Sequence, residues 1–186
     1  MSELKIFNEQ EPQRVMMQTS RSSEIAGQLK SAGVRFEQWK TDATLKPGDS
    51  TEAVLAAYRK DIARLVAEEG YQTVDVVSLS ANAPNKAPSN IQEMRKKFLS
   101  EHTHGEDEVR FFVGGEGLFT LHIGNQVFEV LCQQGDLISV PAKTPHWFDM
   151  GPNPNFIAIR LFNNPEGWVA HYTGSDLADR FSRLAN

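Results

Sequence analysis

The sequence predicts a mainly β protein, a sandwich or small barrel preceded by helices. Three observations carry that expectation. The hydrophobic period changes from about 3.6 to 2 near residue 100. The second half holds short runs rich in β-branched and aromatic residues, divided by Gly, Asn and Asp. The first half carries paired start and stop signals for helices instead.

In chain order, residues 22–32 read as a helix, with Ile25 and Leu29 four apart and Gly33 as the stop. Residues 50–69 read as the longest helix. Asp49 and Glu52 form a capping-box pair, Val54, Ala57, Tyr58, Ile62, Leu65 and Val66 make one apolar stripe, and Gly70 ends it. TVDVVSLS at 73–80 reads as a strand, with loops expected at 47–50 and 81–89. Ser89 and Gln92 form a second capping box that opens a helix through Ile91, Met94 and Phe98. Beyond residue 100, EVRFFVGG, GLFTLHIG, QVFEVLC, DLISVP and FIAIRLF read as strands, and Gly124-Asn125 as a tight hairpin. DLADRFSRL reads as a short amphipathic helix with Leu177, Phe181 and Leu184 on one face.

The bulk numbers narrow the function classes. The chain has 186 residues, 40% hydrophobic and 23% charged, which suits one soluble domain with a helical extension. A net charge of -5 without a basic stretch argues against a nucleic-acid partner. No apolar run approaches the ~20 residues needed to span a bilayer. The N-terminal MSELKIFNEQEPQ lacks the apolar core of a signal peptide. One cysteine, Cys132, excludes an intramolecular disulfide framework and reads as a small buried apolar group. These features point to the cytoplasm, where a reduced metal ion persists.

The chemistry concentrates in EHTHGEDEVRFF and VPAKTPHWFDM. In an extended segment His102 and His104 share a face. Gly105-Glu106-Asp107 turns the chain, and Glu108 opens a strand on which Arg110 and Phe112 lie on its own face. Val109, Phe111 and Val113 face the opposite layer. His146 arrives from a distant strand after Pro141 and Pro145. Three imidazoles and one carboxylate form a borderline-to-hard donor set for Fe(II), Ni(II), Mn(II) or Zn(II), and an octahedral ion keeps two positions free. No nearby thiol suggests a closed structural zinc site. Strand parity points the permanent charge of Arg110 into the same cavity, where it can hold a substrate oxyanion or serve as the structural partner of a buried carboxylate. His122 reads as a hydrogen-bonded structural histidine, His171 as a surface residue, and Arg160 as the partner of an acidic side chain in preference to a residue that orients a ligand. No G-x-S-x-G elbow supports a hydrolase.

These residues resemble the cupin superfamily, whose motifs read G-x5-H-x-H-x3,4-E-x6-G and G-x5-P-x-G-x2-H-x3-N. His102, His104, Glu108 and Gly115 match the first, and Gly135, Pro141 and His146 the second. Lys96, Lys143 and Met150 stand where the motifs carry glycine, glycine and asparagine. EHTHGEDEVRFFV, GLFTLHIG, DLISVPAKTPHWFDMG and FNNPEGW, with GVRFEQW and GYQTVDVVSL earlier, are similar to the bacterial acireductone dioxygenases over nearly the whole chain.

The resemblance implies a double-stranded β-helix (jelly-roll) barrel with N-terminal helices packed outside. One domain would span 1–186, with 1–100 a helical extension plus outer strands and 101–186 the barrel core. It implies one Fe(II) or Ni(II) per chain on His102, His104, Glu108 and His146, and an apolar substrate pocket at Phe98, Phe148 and Trp168 beside Arg110. It implies an acireductone and O2 as small-molecule partners in methionine salvage, and leans towards a monomer. Another metal-dependent cupin enzyme, or a non-enzymatic cupin binding protein, is the alternative; aromatics near the site and intact ligands weigh against each.

Overall fold

The computed structural model describes residues 1–40, 43–45, 49–80 and 88–185, the side chains of 88, 89 and 165 excepted. Two antiparallel sheets pack face to face as a cupin-type jelly roll. The strands are β1 (Glu3–Asn8), β2 (Val15–Thr19), β3 (Arg35–Gln38), β4 (Thr73–Ser80), β5 (His102–Thr103), β6 (Glu108–Gly114), β7 (Glu116–Ile123), β8 (Gln126–Gln133), β9 (Asp136–Val140), β10 (His146–Asp149), β11 (Asn155–Phe162) and β12 (His171–Tyr172). The seven-stranded sheet runs β12-β5-β10-β7-β8-β1-β2 and the five-stranded sheet β3-β9-β6-β11-β4. Among the described residues four α-helices accompany them: α1 (Ser22–Ser31), α2 (Thr51–Ala57), α3 (Arg59–Glu69) and α4 (Pro88–Leu99). Among the described residues no helix is long and apolar enough to cross a membrane.

Alternation along β6 sorts the core. Phe112 points between the sheets, into a cluster with Leu4, Phe119, Phe148, Phe156 and, from α1, Ile25 and Leu29. Val109, Phe111 and Val113 point outward and pack with Trp39, Val54, Tyr58 and Leu65 beneath α2 and α3. The two periods therefore divide one strand between the barrel interior and the helical layer.

Gly33 (φ 81), Gly70 (φ 78) and the hairpin glycine Gly124 (φ 66) all take positive φ, as turn chemistry requires. Lys143 adopts φ 63 where the motif usually carries glycine, so the departure in sequence keeps the backbone conformation of the motif. Gly115 is the tightest case. Its φ is 75, and an added Cβ would meet Asn155 O at 2.1 Å.

Several expectations are corrected. Residues 50–69 form two helices, because Tyr58 leaves helical geometry (φ -111, ψ 18) to bury its ring edge-on against Phe111 at 4.6 Å. The cap is Ser50, whose hydroxyl accepts the Ala53 N–H, rather than Asp49. The residue before α4 and the side chain of Ser89 lie outside the described residues, so the second capping box does too, while the helix expected from it runs over Pro88–Leu99. Part of the 47–50 loop and nearly all of the 81–89 loop also lie outside. DLADRFSRL is a single 3-10 turn at Leu177–Arg180. Leu177 and Phe181 are buried against Trp147 and Phe7, but Leu184 is only half-buried.

Helix α4 delivers the chain to β5 and is pinned to β10. Arg95 donates from Nε and Nη2 to Asp149 at 2.7 and 2.9 Å. Asp149 is 1% exposed and also accepts the N–H groups of Gly151 and Leu184. Burial pushes the Asp149 carboxyl up, but the Arg95 and backbone hydrogen bonds outweigh it and lower its pKa. A lowered folded value means the stabilisation is present above the unfolded value near ~4 and is lost as pH falls through the folded one. Asp149→Asn is therefore expected to cost about 2–3 kcal/mol at pH 7, since it strips the charge partner from a largely buried arginine. Thermal melts from pH 7 to pH 3 check this: the gap between variant and wild type should close below about pH 4. A constant gap would remove the ion pair as its cause.

Candidate metal centre

His102 on β5 and His146 on β10 are direct cross-strand partners, so register alone brings their ring centroids to 4.7 Å. His104 follows β5 by one residue, and its ring lies 5.0 Å from His102 and 5.2 Å from His146. Glu108 opens β6 in the other sheet and reaches across. One ligand atom from each of the four residues lies within 4.8 Å of every other. All four residues are at most 6% exposed.

Hydrogen bonds fix the imidazole tautomers. His102 Nδ1 contacts Ser100 O at 2.7 Å, His146 Nδ1 contacts Thr144 O at 2.8 Å, and His104 Nδ1 contacts Val169 O at 3.2 Å. A carbonyl only accepts, so each Nδ1 carries the proton. Each Nε2 then presents a lone pair to the centre, and such outer-shell partners orient metal-binding histidines. Glu108 Oε2 sits 3.0 Å from His104 Nε2 and 2.9 Å from His146 Nε2. Acceptors converging this closely need a cation between them. The donor set and its geometry fit one metal ion of borderline hardness.

The electrostatics agree. Burial pushes the Glu108 carboxyl up, but Arg110 first, then His104 and His146, hold it well below the carboxylate range. Burial, with the His146 ring, depresses His102 to about 4, keeping it a neutral ligand at pH 7. His104 is raised despite burial, because Glu108 supports its charged form.

Arg110 donates from Nε to Glu108 Oε1 at 2.7 Å. Its Nη groups make no hydrogen bond among the described residues, which leaves donors free beside the cluster. Its guanidinium carbon lies 5.4 Å from the Phe148 ring and 5.3 Å from the Trp168 ring. Phe148 is buried in the inner core and Phe98 packs at its edge. Trp168 stacks on His104 at 6.4 Å. The structure thus brings Arg110, Phe148 and Trp168 together beside the four candidate ligands, while Phe98 packs on the core cluster that holds Phe148.

His122 bridges two carboxylates, Glu101 at 2.9 Å through Nδ1 and Glu9 at 2.8 Å through Nε2, as a structural histidine does. His171 is exposed, Cys132 is buried, and Arg160 pairs with Asp75. Sequence reading missed the Ser100, Thr144 and Val169 carbonyls, which have no signal because every residue carries one. Tyr172, edge-on to His102 at 6.0 Å, was missed because β12 is two residues long.

Comparison with known proteins agrees with this geometry. The model of the ARD/ARD' family matches residues 3–170. An acireductone dioxygenase of Alcanivorax borkumensis is 58% identical over 184 residues, covering 99% of each chain. One from Klebsiella oxytoca is 56% identical over the full length of both chains. The solved structure of an acireductone dioxygenase from Bacillus anthracis, with a cadmium ion in its active center, superposes with a TM-score of 0.77 at 31% identity. It covers 92% of this chain and 98% of that one.

Proposed function

The chain belongs to the ARD/ARD' family, and from that premise we propose that it cleaves acireductone, 1,2-dihydroxy-3-keto-5-methylthiopentene, with O2 in methionine salvage. The observation that carries this reading is the convergence of three Nε2 lone pairs and the Glu108 carboxylate beside a guanidinium with free donors. His102, His104, Glu108 and His146 would hold one Fe(II) or Ni(II). When bound, such an ion would supply Lewis acidity for substrate oxygens and the capacity for O2 chemistry.

The side chains do the rest. Arg110 uses Nε on Glu108 and turns its Nη donors to the enediolate oxygens, fixing the charged end of the substrate. Phe98, Phe148 and Trp168 line the wall for the methylthio tail and keep water from the reacting end. With iron the products are formate and 2-keto-4-methylthiobutyrate. With nickel they are formate, carbon monoxide and 3-methylthiopropionate. Each set balances one acireductone plus one O2.

Elemental analysis followed by oxygen uptake tests this reading. We expect one metal per chain, loss of uptake with chelator, keto acid after reloading with iron and carbon monoxide after reloading with nickel. Undiminished oxygen uptake by fully stripped protein would sink it.

A further inference from the structure

Arg110 and Arg160 stand directly opposite each other on β6 and β11. Like charges at paired positions destabilise a sheet. Each is compensated separately: Arg110 by Glu108, Arg160 by Asp75 through Nε at 2.8 Å and Nη2 at 2.5 Å. They also share one aromatic ring. Their guanidinium carbons lie 5.3 and 5.1 Å from the Trp168 indole. Arg160 further contacts Phe162 at 5.8 Å, and Phe162 packs on Trp168 at 5.4 Å.

The backbone around Trp168 is tied down. The Glu106 carboxylate accepts the N–H groups of Asn163 and Asn164, Gly167 O accepts the Gly105 N–H, and Val169 O holds His104 Nδ1. Gly167 has no space for a side chain, since an added Cβ would meet Glu106 Cγ at 2.4 Å. The indole itself is not tied. Its Nε1 is buried and has no hydrogen-bond partner among the described residues. The ring is packed by Arg160 at 5.1 Å, Arg110 at 5.3 Å, Phe162 at 5.4 Å and His104 at 6.4 Å, and the Arg160 guanidinium is the nearest of these.

We propose that Arg160 is a positioning residue for the oxygenase reaction: anchored by Asp75, it holds the Trp168 indole against Arg110 and so keeps the Arg110 fork in one geometry. The proposal rests on the reading of Arg110 and Trp168 as substrate-contacting groups. An ordinary half-exposed ion pair would do none of this.

A double-mutant cycle tests it, with metal content confirmed for each protein. Arg160→Ala is expected to lower kcat/KM for acireductone about five- to tenfold with metal content unchanged, between the size of an exposed and of a desolvated cation–π contact. In a Trp168→Leu background the same substitution should cost less than about twofold. Arg160→Lys keeps the charge but not the planar stack, so it should recover little. Acrylamide quenching of the Trp168 emission, taken as the difference from Trp168→Leu, should rise in Arg160→Ala. An unchanged kcat/KM, an equal loss in both backgrounds, full recovery by lysine, or unchanged quenching would each overturn the proposal. If wild-type protein did not consume acireductone, the functional reading would fail while the quenching arm still judged the stack.

Discussion

His104→Ala is expected to strip most of the metal and abolish turnover while the barrel stays folded. The imidazole presents Nε2 to the cluster and uses Nδ1 on Val169 O, so alanine removes a ligand and a link to the 165–168 turn together. Loss of an outer-shell partner alone costs about 10–100-fold in metal affinity; loss of a direct ligand should exceed about a hundredfold, or ~2.7 kcal/mol. The remaining ligands, His102, His146 and Glu108, sit on strands whose pairing does not depend on residue 104. Circular dichroism should therefore match wild type while elemental analysis shows depleted metal. Normal metal content with full activity would remove His104 from the ligand set.

The β half of the fold was legible because its strands are buried on alternating faces and punctuated by glycines. Residues 73–80 match β4 to the residue for the same reason. Four strands escaped, the two-residue β12 and three others. β1 carries Leu4 and Ile6 inward, but Glu3, Lys5 and Asn8 dilute it to a single short alternation. β2 is an edge strand with Val15 and Met16 exposed, so its pattern runs against the expected one. β3 is four residues long and finds its meaning only in pairing with β9. The break at Tyr58 is a tertiary effect: the apolar stripe runs through it unbroken, and only the Phe111 ring beneath explains why the helix divides.

The site was more legible than the fold around it. His102 and His104 share a face by parity, and Glu108 and Arg110 do so on the next strand, which local sequence dictates. The approach of His146 depended on a cross-strand register that only the motif spacing hinted at. Arg160 was legible as half of an ion pair or a ligand-orienting residue, but not as a neighbour of Trp168. Its contact with Trp168 joins β11 to a turn after that strand, and no periodicity relates them.

Arg110→Ala is the sharper test of chemistry, because it separates holding the metal from using it. Arg110 touches no imidazole nitrogen of the cluster and meets Glu108 through Oε1, while Oε2 faces His104 and His146. A bound divalent ion would compensate the buried carboxylate after the arginine is gone, so metal content should stay near wild type. The free Nη donors would be lost, and with them the charge that orients an enediolate; removal of one such preorganised donor costs about 10²–10³-fold in kcat. Arg110→Lys restores charge but neither the fork nor the contacts with Phe148 and Trp168 at 5.4 and 5.3 Å, so it should recover only a small part. Steady-state kinetics on metal-quantified protein decide the matter. If kcat/KM is unchanged in Arg110→Ala, the guanidinium serves Glu108 alone. If metal is lost in parallel with activity, Arg110 belongs to the scaffold of the ligand cluster and not to the handling of substrate.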